Sequence, residues 1–483
     1  MKPFRSPERT WIDMSLTRCL SGDEIGAHRP APAPAHGTSP LEKARRIAAE
    51  SGHSGPHQQL GSRWPTGCVA LEITQRCNLD CTLCYLSESS EAVRDIPLEE
   101  IFRRIEMIRR HYGANTDVQV TGGEPTLRDR VELREIVRRV RASGMRPTLM
   151  TNGLRATREL LAELAASGLE DVAFHVDTTQ QRRGYRSESD LNAIRRKYID
   201  AARGLRISVI FNTTVHDGNF EEIPEVVRFF RAHAGAVRTA SFQLQAETGR
   251  GVQGKRSSVI TPESVAAQVE RGAGTPINFA ASLVGHPGCN RYGLCLEAGG
   301  RLHDAFDDPR FVARIQAATA GLVLHRNDLA RTARGILHWL SGHPEHLGAI
   351  LKWTLKKAWR MKRDLLASRG RVRTLSFLLH NFMDARTLER DRIDACVFMT
   401  MTRDGPVSMC LHNARRDSFI LQPMRFHGAV GRRFWQPLTG NFTQSERLPG
   451  AAPETSPKRL KGRIRQAVLH ARAASAAGVR PEC

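Results

Sequence analysis

No run of this 483-residue chain reaches the roughly 18 uninterrupted apolar residues that a membrane-spanning helix needs. The first residues, Met1 to Trp11, are charged and lack the apolar centre of a signal peptide. Ten cysteines are too few in this length for a disulfide scaffold, and their clustering points to metal in a reducing compartment. A cytoplasmic location is expected. The chain also lacks a basic block: 72 Lys and Arg against 50 Asp and Glu give a formal net charge of +22, but scattered as arginine along helical stretches. With no recognisable RNA-binding module either, nucleic acid is the weaker reading of that charge. The length and the 40% hydrophobic content allow one large domain with substantial appendages.

What is present concentrates at Cys77-Asn78-Leu79-Asp80-Cys81-Thr82-Leu83-Cys84. Three cysteines at C-x-x-x-C-x-x-C spacing suit three irons of one [4Fe–4S] cube and leave the fourth iron open. A closed structural zinc or iron site wants four protein ligands, and no fourth cysteine is close by. The rival readings, a zinc loop or a chance spacing of thiols, are weakened by two neighbours. A strand-like run occupies residues 69–74, and Thr121-Gly122-Gly123-Glu124-Pro125 closes the apolar run Val118-Gln119-Val120. Its glycines let backbone approach a ligand closely, and a carboxylate beside them suits an ammonium group.

The two motifs together resemble the radical SAM superfamily. The resemblance implies that S-adenosylmethionine chelates the open iron and that an electron from the cluster cleaves it to a 5′-deoxyadenosyl radical. It also implies that Gly122, Gly123, Glu124 and Pro125 hold the methionine end of the cofactor. An electron donor such as flavodoxin or ferredoxin is the expected partner.

From residue 69, apolar runs of strand length alternate with amphipathic stretches, the pattern of βα units around a parallel sheet. Strands are expected at 69–74, 117–121, 146–151, 171–176, 206–214 and 239–246. The helix from Leu98 shows its period in Ile101, Ile105 and Ile108, and the next in Val131, Ile136, Val137 and Val140. Six repeats fit the partial (β/α)6 barrel that the resemblance implies better than a closed eight-stranded one of about 250 residues. The expected class is therefore α/β, with the barrel over residues 61–250 and an α-rich, metal-binding extension over 251–447. A partly disordered arm is expected over 1–60 and a basic, flexible tail over 448–483.

Polar residues at strand C-termini become candidates for the site: Asn152, Asp177, Asn212, Thr213, Gln243 and Gln245. The resemblance places Asn152 and Asp177 on the cofactor, while helix capping and turn chemistry compete for each. His175 reads equally as a core histidine. Many members carry an aromatic near adenine at the position of Leu83; here the aromatic is Tyr85, just after Cys84.

Beyond the barrel stand His286-Pro287-Gly288-Cys289, Cys295, Cys396 and Cys410, while Cys19 lies apart in the arm. Two cysteine pairs suit an auxiliary Fe–S cluster or a single iron or zinc, against a reading of unrelated buried thiols. The run from His380 to Asn413 is similar to the C-terminal part of the radical SAM branch of tetraether-lipid synthases and archaeal pterin methylases. The dense seven-cysteine pattern of the peptide-modifying SPASM branch is absent.

Between the pairs lies a helical insertion over 311–369, where Leu347, Ile350, Leu351, Leu355, Ala358, Met361 and Leu365 keep helical spacing. That row is expected to pack on the barrel with Lys352, Lys356, Lys357, Arg360, Lys362 and Arg363 outward. Contact of that basic face, with Trp353 and Trp359, with an anionic membrane surface is the second reading. The expected function is a radical SAM enzyme that abstracts a hydrogen from an unactivated C–H bond of a lipid or small molecule. An RNA-modifying methylase or methylthiotransferase and a non-catalytic zinc-binding interaction protein are its rivals.

Overall fold

The structure, a computed structural model, describes residues 18–446 except 33, 35–37, 326, 429 and 430. The expected tail over 448–483 and the arm before residue 18 lie outside the described residues. From residue 18 the arm carries two helices, α1 (Gly22–Ala27) and α2 (Pro40–Glu50). Each starts at a serine, Ser21 or Ser39, whose hydroxyl accepts an N–H from a glutamate three residues on, which caps the serine in return.

The βα alternation then follows the sequence pattern. In chain order come β1 (Cys68–Thr74), α3 (Leu98–Tyr112), β2 (Asp117–Gly122), α4 (Arg130–Ala142), β3 (Arg146–Thr151) and α5 (Arg158–Ala166). These lead to β4 (Asp171–His175), α6 (Asn192–Ala202), β5 (Ser208–Val215), α7 (Ile223–Ala232), β6 (Val237–Leu244) and α8 (Pro262–Ala273). A hairpin follows, β7 (Asn290–Ala298) and β8 (Arg301–Asp304), and then the insertion: α9 (Pro309–Ala318), α10 (Leu329–Gly342), α11 (Leu347–Arg360) and α12 (Lys362–Ala367). The last part holds β9 (Arg373–Asn381), α13 (Arg390–Asp394), β10 (Phe398–Met401), β11 (Pro406–Ser408), α14 (Met409–Ala414) and α15 (Arg416–Ile420). A small antiparallel sheet of β12 (Met424–Gly428), β13 (Gly431–Trp435) and β14 (Phe442–Thr443) ends the described chain.

Strands β1 to β6 lie side by side in parallel, the order expected of six βα units. The C-terminal part then lengthens the same sheet at both edges. β9 adds parallel to β6, and β10 adds parallel to β1. Antiparallel β11 borders one edge and β7 with β8 the other. The ring of His380, at the end of β9, meets that of Phe398, at the start of β10, with centroids 4.4 Å apart. The sheet is therefore curled until its two parallel edges approach.

Alternation decides what each face does. Val69, Leu71, Ile73, Val118, Val120, Leu149, Val172 and Phe174 point outward and are buried in one core with Ile101, Ile105 and Ile108 of α3, Ile136, Val137 and Val140 of α4 and Tyr198 of α6, on which Phe174 stacks. Removing one such side chain, as in Ile105→Ala, is expected to cost about 2–5 kcal/mol. Val131, counted in the period of α4, is exposed in its first turn. The inward face carries Glu72, Gln119, Thr121, Thr148, His175 and Asn212 among smaller and apolar side chains such as Ala70, Met150 and Ala173, and the space inside is a cavity instead of a second core.

Candidate active site

The three-cysteine loop leaves the end of β1 and is clamped by backbone from two other strand ends. Thr82 N donates to Thr179 O at 2.9 Å. Val252 N donates to Thr82 O at 2.7 Å, Gly251 N to Cys84 O at 3.1 Å and Arg250 N to Leu86 O at 2.7 Å. Gly249 makes this approach feasible: its φ is +58°, and a Cβ there would lie 2.5 Å from Cys84 O. Arg250, buried and paired with Glu91 at 2.8 Å, brings positive charge to Cys84. Burial, then the neighbouring Cys84, Asp177 and Cys77, push the Cys81 thiol well up, with Arg250 opposing. Sequence reasoning missed this clamp; the Gly249-Arg250-Gly251 turn after β6 was its only signal.

The glycines of the second motif are needed against the protein itself. A Cβ at Gly122, whose φ is +135°, would stand 1.9 Å from Thr74 O, and one at Gly123 2.2 Å from Arg76 O. Gly123 N and Glu124 N donate to Thr74 O and Arg76 O at 2.9 and 2.8 Å, locking the turn to the start of the cysteine loop. Tyr85 closes the other side, its hydroxyl donating to Gly122 O at 2.6 Å. Its observed partner is thus this turn.

Glu124 is fully buried and its carboxylate already accepts four hydrogen bonds. Oε1 takes Thr126 N at 3.1 Å, Thr126 Oγ1 at 2.6 Å and Thr151 Oγ1 at 2.7 Å, and Oε2 takes Asn152 N at 2.7 Å. Burial pushes its pKa up, and these donors pull it back. Pro125 starts the short helical turn that aims Thr126 at it. Glu124 therefore joins the ends of β2 and β3, a role the sequence did not disclose.

Asn152 reaches back to the cysteine loop: its Nδ2 donates to Asn78 Oδ1 at 2.7 Å, while its Oδ1 accepts Leu154 N at 3.0 Å. The turn that competes for Asn152 is therefore present, together with a contact to the cysteine loop. Asp177 caps the turn after β4 through Thr179 N at 3.0 Å and accepts Thr214 N at 2.8 Å. Its Oδ2 stands 2.7 Å from His175 Nε2. Burial opposes ionisation of both partners, but their pairing holds the Asp177 carboxyl far below its usual range and raises His175. His175 faces the cavity, so the ambiguous histidine belongs to the site wall.

The cavity measures about 1270 Å³ and runs from Cys77, Cys81 and Cys84 to Ile336, Ile350 and Trp353 of the insertion. In its lining, Asn212 Nδ2, Ser241 Oγ and Thr248 Oγ1 are buried with no hydrogen-bond partner among the described residues. Such groups are costly unless something else satisfies them. Gln243 also lines the wall, whereas Gln245 is tied to Gly254 O at 2.6 Å, and Thr213, buried, points to Val176 O.

The four later cysteines do not stay together. Cys289, Cys396 and Cys410 lie within electrostatic reach of one another, beside Arg392, whose Nε donates to Cys289 Sγ at 3.2 Å. Burial pushes Cys289 up to about 11 and Cys410 to about 12, with Arg392 opposing. Cys295 departs from the expected set. It sits in the core on β7, opposite Leu375, while Cys289 O binds Asn381 N at the other end of β9. Six residues of extended strand put it about 20 Å from Cys289. Cys68, buried at the start of β1, is a thiol near Cys396 that the sequence reading passed over. His286 fixes the turn before Cys289: its Nδ1 accepts Gly288 N at 3.0 Å and its Nε2 faces Asp391 Oδ2 at 3.0 Å. Burial and His53 hold it neutral, at about 4.

Residues 71–230 match the Radical SAM superfamily. Over 190 residues the chain is 28% identical to 7,8-dihydro-6-hydroxymethylpterin dimethyltransferase of Methanocaldococcus jannaschii, covering 37% of this chain and 36% of that protein. Over 192 residues it is 31% identical to a probable GTP 3′,8-cyclase of Pyrococcus abyssi, covering 39% and 60% respectively. The chain thus spans only about a third to three fifths of these relatives. A solved structure, native anSMEcpe with bound AdoMet, aligns over 42% of this chain and 58% of that one at 16% identity, with a TM-score of 0.33.

A radical SAM domain implies a [4Fe–4S] cluster and S-adenosylmethionine. The residues present fit them: three thiols on a clamped loop, beside a cavity with unsatisfied polar groups. Among the described residues no three His, Cys, Asp or Glu groups are gathered closely enough to hold a single metal ion. The ligand sulfurs of a cube stand farther apart than those around one ion. With its motifs, parallel sheet and relatives in agreement, residues 71–230 of this chain form a radical SAM domain.

Proposed function

We propose that Cys77, Cys81 and Cys84 hold a [4Fe–4S] cluster and that the enzyme removes a hydrogen atom from an unactivated C–H bond of a substrate held in the barrel cavity. The observation that carries this reading is that Cys77, Cys81 and Cys84 line a large cavity inside a parallel sheet, with polar side chains on the strands facing it. When bound, the cluster supplies the electron for cleaving S-adenosylmethionine, and the radical so made is the hydrogen acceptor.

The chain's own residues bind and orient. Glu124, with Thr126 and Thr151, sets the strand ends at which the methionine end of the cofactor would lie. Asn152 keeps that turn against Asn78 of the loop, and Asp177 holds His175 toward the cavity. Asn212, Ser241 and Thr248 offer hydrogen bonds to a polar part of substrate or cofactor. The far end of the cavity, at Ile336, Ile350 and Trp353, suits an apolar part. At about 1270 Å³ the space exceeds the roughly 300–1,000 Å³ of ordinary ligand sites, leaving room for a cofactor and a second molecule.

Cys289, Cys396 and Cys410, with Arg392 offering positive charge to their thiolates, are proposed as holders of a second metal group. The reading is tested by anaerobic reconstitution followed by a screen of candidate deuterated substrates for transfer of label into 5′-deoxyadenosine. Label from an apolar-tailed compound supports the reading. Failure to produce any 5′-deoxyadenosine under strong reductant overturns it.

A further inference from the structure

On α11 two rows of side chains compete for the inner side. The row that packs inward is Ile350, Trp353, Lys357 and Met361. Trp353 stacks on Phe311 with centroids 5.2 Å apart, and Lys357 is buried in an ion pair with Asp307 at 2.7 Å. This differs from the expected packing of Leu347, Leu351 and Leu355 on the barrel with all lysines outward. Leu347, Leu351, Leu355 and Trp359, spaced i, i+4, i+8 and i+12, are instead 53%, 55%, 60% and 70% exposed.

Single exposed apolar side chains are ordinary on a protein surface. Four large ones in one helical row, with Leu337 of α10 and Leu366 of α12 exposed as well, call for a cover. The free charge along the row is basic, with Glu345 near its start. Lys352, Lys356, Arg360, Lys362 and Arg363 are exposed, and Lys362 Nζ lies 3.7 Å from the centroid of the Trp359 ring. The nearby acids are engaged: Asp307 by Lys357 and Arg360, Asp308 within 4.0 Å of Lys356, and Asp364 by His303 at 2.9 Å.

We propose that the insertion docks on an anionic lipid bilayer, with α11 lying in the interface. Leu347, Leu351, Leu355 and Trp359 would enter the acyl boundary, and the flanking lysines and arginines would stay at the phosphate headgroups. Charge selects this occupant over a second copy of the chain. A two-fold pair would face the same basic flank with itself, whereas lipid phosphates neutralise it. No helix of the described residues is long and apolar enough to cross a membrane, so the contact is peripheral in kind. The docked helix is also a cavity wall, since Ile350 and Trp353 line the far end of the internal space. Docking therefore places that end against the bilayer.

The test is co-sedimentation of the full chain with vesicles of phosphatidylcholine alone and of phosphatidylcholine mixed with phosphatidylglycerol. Binding to the anionic vesicles, falling steeply with salt, is expected, with little binding to the neutral ones. Each basic side chain near an anionic surface is worth roughly fivefold in partitioning, so Lys352→Glu/Arg363→Glu should weaken binding at least tenfold. Leu351→Asp/Leu355→Asp should abolish it. Because these side chains are exposed on α11 and α12, outside the packed side, far-ultraviolet circular dichroism and SAM cleavage should be unchanged in both variants. Equal binding to neutral vesicles, or undiminished binding by Leu351→Asp/Leu355→Asp, would overturn the proposal. So would a dimer that this variant disperses while neither vesicle binds. Vesicle binding is read without turnover, so its failure is distinct from failure of the proposed reaction.

Discussion

Arg416→Leu probes how the C-terminal part supports the site. The Arg416 side chain is 1% exposed and Glu72, on the inner face of β1, 7%. Arg416 NH1 lies 2.8 Å from Glu72 Oε2 and 3.1 Å from Gln75 Oε1, NH2 lies 2.9 Å from Asn413 Oδ1, and Nε donates to Tyr85 O at 3.0 Å. Burial alone would raise Glu72, but Arg416, with His412 and Gln75, draws it down from 4.5 to about 2. Removing the guanidinium strands a buried carboxylate, a change that costs on the order of 3–5 kcal/mol.

The pH dependence has a definite sign. In the native protein the stabilisation from Glu72 is present above about 4.5 and is lost as pH falls through about 2. In Arg416→Leu the folded pKa of Glu72 lies above its unfolded value, so protonation relieves the penalty and the deficit shrinks as the medium is acidified toward pH ~5. Urea unfolding of the metal-free chain, followed by circular dichroism at both pH values, reads this directly. Adding Glu72→Gln to Arg416→Leu should recover much of the loss, because the stranded charge is gone. Because Arg416 holds the Tyr85 backbone, and Tyr85 the Gly122 turn, iron loading of the first cluster should fall in the single variant. A loss under about 1 kcal/mol at neutral pH, or a double variant as unstable as the single one, would refute the reasoning.

Three further outcomes are expected. Glu124→Ala should lower SAM affinity roughly tenfold or more and also destabilise the fold, since Thr126, Thr151 and Asn152 lose their common acceptor; equilibrium binding and urea unfolding measure the two effects. Cys410→Ala should lower iron content by about one cluster and leave uncoupled SAM cleavage intact, whereas Cys295→Ala should leave iron content unchanged; iron analysis of reconstituted protein separates them. In Asp177→Asn, His175 should titrate below its ordinary range, because burial and Arg182 then act against the weaker pull of Glu188, while in the native protein it titrates above; the histidine Cε1 resonance in NMR reports both.

The elements that sequence displayed are those whose causes are local. Six strands and the helices between them follow from short apolar runs and the 3.6-residue period at Ile101, Ile105 and Ile108, and the cysteine loop and Gly122 turn from fixed spacing. Long-range pairing left no such trace. Nothing in residues 373–381 or 398–401 marks them as strands that return to opposite edges of the barrel sheet. Cys295 was grouped with Cys289 by proximity in sequence, yet an extended strand carries it into the core. On α11 two apolar rows share helical spacing, and only the partners Phe311 and Asp307 decide which one turns inward. Glu124 carried a motif, but its four donors come from separate turns and strand ends that spacing cannot display.

The central claim rests on Cys77, Cys81 and Cys84, and its most direct test compares the reconstituted native protein with Cys81→Ala under dithionite and S-adenosylmethionine. The native protein should yield 5′-deoxyadenosine and the variant none, with iron lower by about four per chain and an unchanged circular dichroism spectrum. Production of 5′-deoxyadenosine by Cys81→Ala at the native rate would contradict it.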